Sequence, residues 1–234
     1  MKSKVFSLAI GLVSSHTMSM AQTPSVSYKR TYLNTPSTQC SYSTPVFKGT
    51  SEFIRFLNKS FSGQAHGWAD VFNAENKEMV MGRKNEFDSK TTISLLTPTL
   101  VSGLSTNFYD TGGAHPGIWF FVHNYGYLGG KPAIIRLSDL CKPKMDIAST
   151  FSPAILNELR YREAEWVMNG ELTEINPQLL ETFILTPTSI VWIIPPYEAG
   201  PWAQGTFEIK FPLSKFAQAW NPSGPLSEII QASE

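Results

Sequence analysis

The stretch that most limits what this chain can fold into is Tyr109-Asp110-Thr111-Gly112-Gly113-Ala114-His115-Pro116. It follows a strand-like run ending in Phe108 and Tyr109, and it precedes an aromatic run from Ile118 to Tyr125. Paired glycines allow backbone at positive φ or a close approach to another segment, and a proline lacks the N–H that a central strand needs. Two strands must therefore meet here at a stiff corner that carries a histidine. Position and residue type leave open whether His115 serves chemistry or architecture.

Around the corner the period of the sequence changes in a fixed order. Ser27 to Leu33 and Cys40 to Lys48 have strand character, the second with Pro45 inside it. Phe53, Ile54, Phe56, Leu57 and Phe61 fall at helical spacing behind Thr50 or Ser51 as N-cap, and Gly63 predicts a break. Ala65, Trp68, Ala69 and Phe72 repeat the spacing, so a second or kinked helix is expected to about Asn76. Ser89 to Leu140 is expected to form an antiparallel meander. Its aromatic strand is apolar on both faces and so expected to be central.

Ser152-Pro153 predicts the start of the next helix, with Glu158 and Arg162 as an i, i+4 pair. Strands follow over 182–194 and from Thr206 to Phe211, with a short helix from Leu213 to Trp220. This order predicts an α+β fold, an antiparallel sheet packed by helices.

The N-terminus has the form of a secretory signal. Lys2 and Lys4 precede an apolar run from Val5 to Val13, and Ser19-Met20-Ala21 supplies small residues before a cut after Ala21. The run is too short to span a bilayer, and no later segment approaches that length. We expect an exported chain, periplasmic or secreted. The domain organisation is then a signal peptide at 1–21, one domain over 22–220 and a tail over 221–234. Cutting there removes two lysines and no acid, so the mature chain has a net charge of −2. With 16% charged and 12% aromatic residues and no basic stripe, it is not built to bind nucleic acid.

Cys40 and Cys141 are the two cysteines. In an oxidising compartment an isolated even pair is expected to form a disulfide. Closing a loop of that length is worth about 4–5 kcal/mol in a chain-entropy treatment. Ligand spacing for a zinc site is missing.

Motifs for chemistry are sparse. Asp110-Thr111-Gly112 matches the aspartic-protease tripeptide, but no second copy completes the carboxylate dyad. His66, His115 and His123 lack metal-ligand spacing, and no nucleophile elbow or phosphate loop occurs. No catalytic residue, metal or cofactor is assigned, and a chain without enzymatic activity is expected. The loop Pro195-Pro196-Tyr197-Glu198-Ala199-Gly200-Pro201-Trp202 is a better functional candidate. Its prolines stiffen it, and tyrosine and tryptophan are enriched at binding hot spots. A hairpin connection whose aromatics fold onto the sheet would have the same composition.

Two segments in this order resemble a known family. The Thr111-Gly112-Gly113-Ala114-His115 corner, then Phe183-Ile184-Leu185-Thr186-Pro187, Pro196-Tyr197-Glu198 and Ala203-Gln204-Gly205, are similar to the PdaC/RsiV-like domain family, DUF3298. The resemblance covers roughly residues 40–217 and is stronger in the second half. It implies a compact α+β domain in which Gly112, Gly113 and His115 are a structural landmark. The family includes the lysozyme-binding extracellular domain of the anti-sigma factor RsiV and a module that accompanies the deacetylase PdaC.

This chain shows no membrane helix, sigma-binding segment or deacetylase domain, so direct sigma-factor control is not expected. It also has Pro201-Trp202-Ala203 where the family has Pro-Tyr-Ala. The resemblance implies a binding domain of the bacterial cell envelope. Its expected partner is a lysozyme-like protein or a peptidoglycan-related glycan, met by Pro196, Tyr197, Glu198 and Trp202. The alternatives are a metal-assisted wall hydrolase using Asp110 and His115, and a scaffold domain. The oligomeric state is not legible.

Overall fold

In the computed structural model, which describes residues 24–231, two sheets share the strands. The larger has six in the order β1 (Ser25–Asn34), β2 (Thr38–Lys48), β3 (Asn85–Leu96), β4 (Leu100–Asp110), β5 (Gly117–Leu128) and β6 (Lys131–Ile134). The smaller is antiparallel: β7 (Phe183–Leu185), β8 (Ser189–Ile194) and β9 (Phe207–Pro212). The expected α+β class holds, with one parallel step: β2 pairs parallel with β3, and all other neighbours are antiparallel.

The parallel step follows from α1 (Glu52–Glu75), a single helix of 24 residues without the break expected at Gly63. Ser51 caps it by accepting from the N–H of Ile54. At 1.5 Å per residue it spans about 36 Å, long enough to return the chain to the end where β2 began. Each interior glycine costs about 1 kcal/mol against alanine. Gly63 and Gly67 lie on the exposed side, while Phe53, Ile54, Leu57, Phe61, Ala65, Ala69 and Phe72 are buried against the sheet. That buried face outweighs the two glycines.

Four further expectations are corrected. After the short α2 (Leu137–Leu140), helix α3 (Ile147–Tyr161) starts one and a half turns before Ser152-Pro153. Asp146 is the N-cap and accepts from the N–H of Ser149, which leaves Pro153 inside the helix. Fully buried Phe151, Ile155 and Leu159 offset the missing hydrogen bond. The aromatic strand is central only at its far end, because β6 pairs with Tyr125 to Leu128 alone and the start of β5 has β4 as its single ladder neighbour. A short α5 (Pro177–Leu180) precedes β7, and residues 221–231 are not a loose tail: α6 (Ser227–Gln231) packs down, with Leu226 fully buried.

The cysteines, lastly, are both free. Cys40 sits on β2 under α1 with Ala65, Ala69, Phe72 and Phe87. Cys141 belongs to the separate core beneath the small sheet, where it bridges to Trp220. Burial pushes the Cys141 thiol up to about 12, with the Glu181 charge adding to the effect. The expected signal peptide lies outside the described residues. Among them no helix is long and apolar enough to cross a membrane.

The two sheets are joined by side chains. Ser102 on β4 and Asn124 on β5 are buried neighbours, and Ser102 Oγ donates to Asn124 Oδ1 at 2.6 Å. Asn124 Nδ2 donates to the carbonyl of Phe183 (2.8 Å), and the N–H of Leu185 donates to Ser102 Oγ (2.7 Å). These are the outward-facing groups of β7, whose other edge pairs with β8. A buried unpaired polar group costs about 1–3 kcal/mol, so this contact sets where β7 must sit.

Two predictions follow from these contacts. Ser102→Ala and Asn124→Ala should each lower unfolding free energy by about 1–3 kcal/mol, and the double variant by less than their sum, measured by urea titration. A thiol assay on the unreduced, denatured protein should find both cysteines reactive, and reductant should leave the melting temperature unchanged.

Candidate functional site

The corner and the proline-rich loop, far apart in sequence, meet in space. Asp110 ends β4, and its Oδ1 accepts from the N–H of Gly112 at 2.8 Å, an Asx turn that starts the corner. Gly112 has φ +75°, and a Cβ there would lie 2.6 Å from Val80 Cγ1, so only glycine fits. Gly113 takes no such conformation. Gly117 opens β5 directly under the Tyr109 ring, where a Cβ would overlap it. These close approaches turn the chain within six residues and leave His115 exposed at the tip.

The loop arrives from the small sheet. β8 is buried along its whole length and ends at Ile194, which delivers Pro195 and Pro196 to the surface. Tyr197 has φ +68°, a left-handed conformation that costs a bulky residue about 1–2 kcal/mol. The Tyr197 N–H donates to Gly200 O at 3.0 Å and closes the turn. Behind it, Ala199 O accepts from the Trp166 N–H, while Gln204 joins Glu163 O and the N–H of Glu165. The loop is thus braced against the turn between α3 and α4 (Glu165–Met168). Trp202 begins a 3-10 turn that ends at Gly205.

Tyr197 and Trp202 neither fold into the core nor stand apart. His115 stacks on the Trp202 indole at 4.3 Å between centroids and 16° between planes. Its Nε2 lies 3.1 Å from the Tyr197 hydroxyl, across 82 residues of sequence. Its Nδ1 lies 2.8 Å from Pro116 O. A carbonyl can only accept, so Nδ1 carries the proton and a neutral ring takes the Tyr197 hydroxyl proton at Nε2. Tyr197 and Trp202 lie 6.1 Å apart at 34°. The result is a surface cluster of three rings in which His115 and Tyr197 are exposed, Tyr197 by 51%, and Trp202 is half-buried. Glu198 is exposed beside it, and Pro196 is half-buried.

The residues available for acid–base chemistry are dispersed. Asp110 is turned to its own corner, and His123 is buried on the α1 side of the sheet, away from His115. No three of His, Cys, Asp or Glu converge as metal ligands among the described residues.

Around His123 lies a polar network that sequence reading missed. Ser105 Oγ is 2.7 Å from His123 Nε2 and also 2.7 Å from Thr91 Oγ1, while Tyr125 OH is 3.4 Å from Nδ1. Phe61, Trp68 and Phe121 pack around the ring. Burial lowers the His123 pKa to about 3, so the ring stays neutral when folded. Only its place on the aromatic strand hinted at this, and a serine and a threonine on other strands give no local signal.

Residues 138–214 match the family model described as "Protein of unknown function (DUF3298)", a span that includes the loop and excludes the corner. A crystal structure of a DUF3298 family member from Bacteroides fragilis is similar over 91% of this chain and 99% of that one, at 15% identity and TM-score 0.59. A DUF3298 family protein from Pseudomonas aeruginosa is similar over 86% and 96%, at 13% identity and TM-score 0.55. At these identities the likeness is one of fold. No curated protein matches.

The buried histidine generates a prediction. Unfolding raises its pKa from about 3 towards 6.5, so the unfolded chain binds a proton that the folded chain refuses. Its contribution is complete above pH 6.5 and is lost as pH falls towards 3, by at most about 1.4 kcal/mol per pH unit. Denaturant titrations of His123→Gln should show a shallower acid decline over that window than the parent protein.

Proposed function

We propose that this protein, a DUF3298 chain by its 138–214 match, is an exported binding module of the bacterial cell envelope. It has no enzymatic activity of its own, and it recognises a peptidoglycan-related glycan through the platform of His115, Tyr197 and Trp202. One observation carries this reading: the two segments that stand out in the sequence meet as one exposed, braced aromatic surface. Rings with an apolar face and a polar edge suit a sugar, which offers C–H faces for stacking and hydroxyls for hydrogen bonding. The bracing of the loop reduces the ordering cost of binding. Export is supported by the signal-like N-terminus.

The wall-hydrolase alternative finds less support. Asp110 is held in its Asx turn, and both His115 nitrogens have hydrogen-bond partners. A lysozyme-like protein is the second reading. It comes from the family resemblance and is favoured by Tyr197 and Trp202 being hot-spot residue types held outward.

Calorimetry on the mature chain with soluble peptidoglycan fragments, and separately with lysozyme, distinguishes the two. The expected result is binding of the fragments, weakened at least about tenfold by Tyr197→Ala or Trp202→Ala, as truncating a hot-spot aromatic does. Lysozyme binding with the same sensitivity would move the assignment to the protein partner. Binding of neither, or binding indifferent to both substitutions, would falsify the platform.

A further inference from the structure

On the α1 side of the large sheet, around the corner from the platform, lies a cavity of about 410 Å³. That is within the range of small-molecule sites, roughly 300–1,000 Å³. Five aromatic rings wall it: Trp68 and Phe72 from α1, Phe87 from β3, Tyr109 from β4 and Trp119 from β5. Trp68 and Trp119 meet edge to face at 4.8 Å and 86°, and Phe72 stacks on Phe87 at 5.4 Å. The register explains the grouping. Phe87 pairs with Tyr109, and Tyr109 pairs with Gly117, whose missing side chain lets the Tyr109 ring lie over it as part of the wall.

Three features of this cavity have the same electrostatic sign. Aromatic faces carry the negative part of the ring quadrupole and attract cations. Glu75 is the single charged residue in the lining, and its carboxylate has no ion-pair partner among the described residues. The C-terminal end of α1 also reaches the cavity through Phe72, Glu75 and Asn76, and its last turn contains no basic residue. The negative end of the helix dipole therefore adds to the other two. Lys77 follows the helix but does not line the cavity.

The type of cation follows from what the walls can hydrogen-bond. A primary ammonium carries three donors and is strongly hydrated. Here the Asn76 Nδ2 group donates to Phe72 O, and Glu75 is the one charged acceptor in a mainly aromatic lining, beside the neutral Asn76 Oδ1 and the Tyr109 and Thr111 hydroxyls. A quaternary ammonium has no donors to satisfy and loses less on leaving water. We infer that this cavity is a binding site for a quaternary ammonium group on a short alkyl chain.

The site is separate from the platform, and its test stands apart from the proposed function. The mature chain is titrated with choline chloride and followed by calorimetry and tryptophan fluorescence, since Trp68 and Trp119 report on the walls. Choline should bind saturably, and its neutral isostere 3,3-dimethylbutan-1-ol at least about tenfold more weakly. Nα-acetyl-lysine amide should also bind more weakly than choline.

Trp119→Leu should weaken choline binding by about tenfold and Glu75→Gln by a few-fold, while His115→Ala and Tyr197→Ala leave it unchanged. Glu75 is exposed, so Glu75→Gln keeps the test valid should Trp119→Leu fold poorly. The inference is overturned if the neutral isostere matches choline or if the lysine derivative binds more tightly. It is equally overturned if Glu75→Gln has no effect, or if choline at tens of millimolar produces no response.

Discussion

The buried hydrogen bonds of Ser102 and Asn124 to β7 fix the relation between the two halves of this protein. A three-residue strand has little of its own to set its position, and β7 pairs with a single strand neighbour. The Phe183 carbonyl and Leu185 N–H need partners once the surrounding apolar core has removed water, and two side chains of the large sheet supply them. A slip of β7 by one residue would strand these groups and invert the faces of Phe183 and Leu185, both fully buried. β8 follows directly, and the proline-rich loop follows β8. The meeting of His115 with Tyr197 and Trp202 therefore depends on a contact made well below the surface.

The α1 side of the large sheet is used in two ways. Beneath α1 it carries an aromatic layer interrupted by the Thr91–Ser105–His123 network, and the helix supplies small residues, Ala65 and Ala69, to that packed face. Towards the ends of β3, β4 and β5 the packing opens into the aromatic cavity, with Tyr109 and Thr111 in its wall. The corner is therefore the boundary between two surfaces. Thr111 faces the cavity, and four residues later His115 joins the platform.

Much of the fold could be read from the sequence, and the misses have physical causes. The meander, the Ser51 cap and the Glu158–Arg162 pair, 2.9 Å apart, are local and follow from spacing. Gly63 misled because its cost is local, whereas the buried face that outweighs it is a property of the folded helix. Pro153 misled for the same reason: Asp146 provides an earlier cap, and three buried side chains then carry the helix past the proline. Cys40 and Cys141 looked like partners by count and compartment, but pairing depends on distance, and they lie in separate cores.

For the site, the stiffness of both segments and the residue types they present follow from local sequence alone. Gly112, Pro116 and the prolines at 195, 196 and 201 act on their own backbone whatever surrounds them. That the two segments touch, which way Tyr197 and Trp202 point, and that Trp68 and Trp119 enclose a cavity came from the folded chain. Those outcomes depend on strand register and on side chains far apart in the chain. Long-range contacts are fixed jointly by the whole core, so no single stretch of sequence contains them.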